Sequence, residues 1–150
     1  MAINSLSGAI GAPGPWTAYT PAWTASGTAP AIGNSTVTAS YCQVGKIVYF
    51  KGVIVFGSTA TYGTGAYYLS LPTNAIALAY QPIAQVLYVD SSASTFYYGW
   101  ADCVDAVSKM SFRVPNVGGT YPTLAVVQNT VPMTFANGDS IHWLGFYEAA

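Results

Sequence analysis

The sequence predicts an all-β fold. The expected form is an antiparallel β-sandwich, with a jelly roll as the favoured arrangement, behind an extended N-terminal arm. Three observations carry this. Apolar residues recur with period two in short runs bounded by Gly, Pro, Asn and Ser. No long segment shows helical periodicity. Charge is scarce: Lys46, Lys51, Lys109 and Arg113 stand against Asp90, Asp102, Asp105, Asp139 and Glu148, nine charged residues in 150.

Residues 1–15 contain Gly8, Gly11, Pro13, Gly14 and Pro15 and no charged side chain. They read as the arm, long enough at about 3.3 Å per residue to reach about 50 Å. Residues 16–150 read as the sandwich domain. Its first strand, 17–23, is broken by Pro21, the mark of an edge strand or a bulge. In 35–44, Val37, Ala39 and Tyr41 alternate with Thr36, Thr38 and Ser40, the period of a half-buried strand. Gly45-Lys46 makes a tight turn.

Residues 47–56 form the strongest strand. Val48, Phe50, Ile54 and Phe56 point one way, and Ile47, Tyr49, Lys51, Val53 and Val55 the other. An antiparallel strand on a protein surface normally keeps one wet face. Here both faces are largely apolar, so the core should cover one and a partner the other. That makes Ile47, Tyr49, Val53 and Val55 candidate subunit-interface residues.

Further strands are expected at 66–71, stopped by Pro72, and at 83–90 and 95–102, a hairpin across 91–94. Residues 73–82 connect them, with one helical turn expected at 75–78. In 109–114, Met110, Phe112 and Val114 alternate with Lys109, Ser111 and Arg113. A short extra strand is expected at 124–128, and Asn137-Gly138 turns the chain into the last strand, 141–148. Strand spacing does not separate a jelly roll from another Greek-key sandwich.

Charged residues are 6% of the chain, against about 25% in an ordinary domain. Such a surface is expected to be covered by lipid or by protein. Gly and Pro interrupt every long uncharged run, so no span of about 20 apolar residues exists for a membrane helix. The strands are mostly too short for an outer-membrane barrel. Aromatic residues at 15% exclude disorder. Four scattered basic residues make no phosphate-binding stripe, so nucleic acid is not an expected partner. No basic segment leads into an apolar one as in a secretory signal. What remains is a β-rich subunit of an assembly.

No chemistry stands out. His142 is the one histidine and has no nucleophile and carboxylate at signature spacing, so it reads as a strand-face residue. Asp102 and Asp105, with Asp90 or Asp139, read as loop carboxylates and not as a calcium site. Cys42 and Cys103 read as buried free thiols, with one bridge as the alternative. No enzyme activity, metal or cofactor is expected. The aromatic pairs Tyr67-Tyr68 and Tyr97-Tyr98, with Trp100, place rings on both faces of their strands. Tyr67, Tyr97 and Trp100 are candidates for a surface platform, either an interface or a stacking surface for sugars.

A series of short motifs runs along the chain. It starts with Trp16, Tyr19-Thr20-Pro21, Trp23-Thr24 and Pro30-Ala31-Ile32-Gly33-Asn34. Next come Tyr41, Gly45-Lys46, Gly57-Ser58-Thr59, Gly63-Thr64-Gly65 and Leu69-Ser70-Leu71-Pro72. It ends with Pro132, Phe135-Ala136-Asn137-Gly138-Asp139 and Tyr147-Glu148-Ala149. In this order they resemble a recurrent β-domain of tailed-bacteriophage virion proteins, over residues 16–72 and 131–149. Asn34-Ser35 departs from the Asn-Gly of that pattern and Phe135 from its usual Trp, and 73–130 has no counterpart.

The resemblance implies a bacteriophage virion protein, made in the host bacterial cytoplasm and often trimeric. A short chain with an arm and no fibre shaft is similar to capsid decoration and minor capsid proteins. The expected function is therefore structural: a homotrimer decorating and stabilising the capsid surface, with the phage major capsid protein as partner. Ile3, Leu6, Ile10, Pro13 and Trp16 would anchor the arm to the shell. The alternative is a tail or fibre-tip receptor-binding protein that holds host glycans on its exposed rings.

Overall fold

The computed structural model describes residues 14–77, 80–103 and 107–150. Ten strands follow in chain order: β1 (Thr17–Ala18), β2 (Trp23–Ala25), β3 (Thr36–Val44), β4 (Ile47–Val55), β5 (Tyr67–Ser70), β6 (Pro82–Asp90), β7 (Thr95–Asp102), β8 (Lys109–Asn116), β9 (Thr123–Val126) and β10 (Ser140–Glu148). All ten belong to one antiparallel sheet, ordered β1-β3-β4-β10-β6-β7-β8-β5-β2, with β9 added on β8. The sheet curls into a half-barrel around its own inner face.

This corrects the expected sandwich and jelly roll. Alternation tells each strand that one of its faces is buried. It does not tell the strands whether those faces meet across two sheets or around one curled sheet. Here β10, the last strand, enters the middle and pairs with β4 over nine residues and with β6 over six. One continuous ladder results.

The two edges of the sheet lie close together because the chain itself crosses between them. The expected single strand at 17–23 is in fact two strands, β1 at one edge and β2 at the other. Pro21 sits in the crossing, where its missing N–H costs no ladder hydrogen bond. On one side Tyr19 N donates to Ala39 O at 3.1 Å. On the other, Ala22 N donates to Ser70 Oγ at 2.8 Å and Ser70 N donates to Ala22 O at 3.0 Å.

Aromatic rings fill the space inside this closure. Trp23 of β2 lies 5.1 Å from Phe56, just past β4, and 5.2 Å from Tyr67 of β5. Phe56 also meets Tyr62 at 5.2 Å and Phe135 at 5.6 Å. Farther in, Phe50, Leu69, Tyr88, Met110, Phe112, Ile141 and Trp143 are buried. Close approaches at strand glycines accompany the curl, and two of them lie at the β4–β10–β6 centre. A Cβ on Gly52 would run into the Trp143 ring, and one on Gly145 into the Ile83 carbonyl, where β6 is irregular between Pro82 and Ala84. Glycine removes both conflicts.

Local expectations fare better than the global one. The hairpin at 91–94 joins β6 and β7, and Asp90 Oδ1 accepts from Ala93 N at 2.9 Å and from Ser92 Oγ at 2.8 Å. The Asn137-Gly138 turn precedes β10 and is tied down by buried Asp139. Its Oδ2 accepts from Ala136 N at 2.8 Å, and its Oδ1 from Ser91 N at 2.9 Å. Where a helical turn is expected, Ala75 bridges Ala149 instead; Leu78, in the same stretch, lies outside the described residues. Cys42 and Cys103 are both buried and free. Burial, with the Asp102 charge nearby, pushes the Cys103 thiol up to about 11.

Candidate functional site

A sheet curled around one core leaves its other face outside. On β4 the outward positions are Tyr49, Lys51, Val53 and Val55. On β10 they are His142, Leu144 and Phe146, on β6 Gln85, Leu87 and Val89, and on β7 Phe96, Tyr98 and Trp100. The ladder registers align them in rows. Lys51 pairs with Leu144, Leu144 with Gln85, and Gln85 with Trp100. The next row runs Val53, His142, Leu87, Tyr98 in the same way.

This outer face is apolar and open. Tyr98 is 75% exposed, Phe96 62%, Phe146 61% and Leu144 59%. Tyr49 and Val55 are also exposed, and the Tyr49 and Phe146 rings lie 6.0 Å apart. An exposed apolar patch of this kind is a candidate interaction surface. Two grooves run over it, each of about 470 Å³. Thr38, Lys51, Leu87, Tyr98 and His142 line one; Tyr49, Pro82, Trp100 and Phe146 line the other; Leu144 borders both.

Charge on this face is sparse. Lys51 is the cation of the central rows, and its Nζ lies over the Trp16 ring, 4.3 Å from the centroid. Such a contact lowers the cost of covering the ammonium. Arg113 Nε donates to Asp102 Oδ2 at 3.0 Å on the far side of β7. His142 Nε2 lies 2.9 Å from Ser140 Oγ, and desolvation pulls its pKa below the ordinary histidine value. Among the described residues no carboxylate is hydrogen-bonded to this pair; the Asp139 oxygens accept from Ser91 and Ala136 instead. Ser140 is itself buried. Among the described residues no three His, Cys, Asp or Glu side chains group as a metal site. Asp105 lies outside the described residues.

The structure brings Tyr49, Val53 and Val55 together on this face. Ile47 is half-buried at its end, paired with Val44 and Glu148. The ring platform is split. Tyr67 is fully buried, with its hydroxyl donating to Tyr62 O at 2.6 Å, so it is not a surface residue. Tyr97 packs half-buried against the core, and Trp100 lies on the outer face. Trp16 is exposed beside Lys51; Ile3, Leu6, Ile10 and Pro13 lie outside the described residues.

Sequence reasoning missed Leu144 and Phe146 and did not place Phe96 and Tyr98. A signal was present in each strand. Gly99 and Ala101 alternate with Tyr98 and Trp100, and Gly145 sits between Leu144 and Phe146. The small residues occupy the crowded inner face, which sends the large apolar ones outward. Comparisons of the chain with protein-family models, with curated proteins and with solved structures found no match.

Proposed function

We propose that this chain is a structural subunit of a tailed-phage virion, a capsid decoration or minor capsid protein that assembles as a homotrimer. The observation that carries the reading is the exposed apolar outer face of β4, β10, β6 and β7. A solitary protein keeps such a face in water at a cost, whereas an assembly removes it. Each 100 Å² of apolar surface covered contributes about 2.5 kcal/mol before association costs take their share. The order of motifs over residues 16–72 and 131–149 supports the virion assignment, and the sparse charge supports permanent cover.

The test is immunogold microscopy of the virion with an antibody raised against this chain. Labelling distributed over the head supports the reading. Labelling confined to the tail overturns it. A fibre-tip protein that binds host glycans is the second reading, and one feature favours it: Tyr98 and Trp100 present rings beside Gln85, His142 and Lys51, which offer hydrogen bonds to a sugar. Tail labelling together with binding on a glycan array would establish that reading instead.

A further inference from the structure

The described chain begins at the rim of the outer face, where Trp16 stands over Lys51. Thr17 pairs with Tyr41 and Ala18 with Ser40, antiparallel. Followed backwards at Thr17, the described chain therefore points along β3 toward the turn after Val44. The Tyr49–Phe146 row lies on that side, and the rows of Val53 and Val55, which pair with Thr38 and Thr36, lie in the other direction. The described chain thus points away from the groove lined by Thr38, Val53, Leu87, Tyr98 and His142, which leaves that groove to be filled from elsewhere.

Residues 1–13 are suited to the face they leave. They carry Ile3, Leu6 and Ile10 among small residues and no charged side chain. An uncharged segment can cover an apolar surface without stranding a charge. Length is sufficient. Thirteen residues at about 3.3 Å span about 43 Å. The five strands from β3 to β7, about 4.8 Å apart, span only about 19 Å.

We propose that residues 1–13 of a neighbouring copy of this chain lie across the outer face. Their apolar side chains seat in the two grooves on either side of Leu144. Arms exchanged between copies join the subunits without sheet-to-sheet contact. This inference rests on the reading of the outer face as an assembly surface and names its occupant.

Sedimentation velocity on three proteins tests it: the full chain, a chain starting at Gly14, and the full chain with Phe146→Ser. The full chain is expected to be an oligomer. The other two are expected to sediment as monomers with unchanged far-UV circular dichroism. Disulfide trapping supplies an independent readout. A chain carrying Ile10→Cys, mixed with one carrying Leu144→Cys, is expected to give a cross-linked pair that neither gives alone.

A truncated chain that stays oligomeric overturns the arm. If Phe146→Ser then dissociates it, the face remains a contact surface and only its occupant was wrong. If a chain carrying both Ile10→Cys and Leu144→Cys forms the bond within itself, and the mixed single variants form none, the arm lies on its own face and the proposal is overturned. A full chain that is monomeric at every concentration removes both the arm exchange and the solution trimer.

Discussion

Replacing Phe56 with alanine tests the closure of the half-barrel. Phe56 is 1% exposed and touches three rings: Trp23 from the opposite edge of the sheet, Tyr62 and Phe135. Its backbone is held on both sides, with Phe56 N donating to Asp139 O and Gly138 N donating to Phe56 O, each at 2.8 Å. The site therefore has little freedom to collapse into the space left by the ring. Phe-to-Ala changes in cores cost about 3–5 kcal/mol, and poor collapse puts this one near 4 or above. In a domain of this size that is a fall in Tm of about 8–16 °C.

The single variant reports burial alone; a double-mutant cycle with Trp23→Leu reports contact across the opening. The coupling is expected to be about 1 kcal/mol, in the range of aromatic pairs. Urea unfolding followed by circular dichroism is the assay, run at one protein concentration so that association does not shift the baseline. A cost below about 1 kcal/mol for Phe56→Ala, or additivity within about 0.3 kcal/mol, would refute the closure.

Other perturbations probe separate parts of the molecule. Asp139→Ala removes the acceptor of Ser91 N and Ala136 N from a buried turn and should cost about 3 kcal/mol in urea unfolding, with an unchanged midpoint as the contrary result. Gly145→Ala pushes a methyl against the Ile83 carbonyl and should cost about 3 kcal/mol or prevent folding, whereas Gly14→Ala meets nothing within 4 Å and should be neutral; equal stability of the two would count against the close approach. Stability should also fall at high pH. Burial pushes Tyr19 up to about 12 and raises Tyr67 and Tyr88, while phenols in the unfolded chain ionise near 10. The unfolded state then binds fewer protons above pH 10, so stability is full below 10 and drains away as pH rises through about 12. A urea midpoint that stays flat across that window would contradict the burial of these rings.

Much of the local structure was legible in the sequence. Alternation located the strands 35–44, 47–56 and 109–114 to within a residue or two, because each has one face in the core. Turn chemistry marked Gly45-Lys46, the 91–94 hairpin and Asn137-Gly138, because those residues tolerate the backbone that a tight turn demands. The doubly apolar strand at 47–56 pointed to a second covered surface, and Tyr49, Val53 and Val55 do lie together on an open face. Tyr67 went the other way. Adjacent rings such as Tyr67-Tyr68 in a short strand carry no sign of which is inside until the neighbouring strands are known.

Strand periods, turns and the shortage of charge are properties of short windows, and short windows encode them. Which strands pair, and around what, depends on contacts between residues far apart in sequence. Three such contacts decided this fold: β10 entering between β4 and β6, residues 19–22 crossing from one edge to the other, and Trp23 meeting Phe56. Together they make one curled sheet where strand spacing suggested two. They also decide where the apolar surplus goes. A sandwich buries the inner faces of two sheets against each other; a half-barrel encloses one face and leaves the other in water. The nine charges in 150 residues implied a surplus of exposed apolar surface, and only the tertiary structure placed that surplus on the outside of β4, β10, β6 and β7.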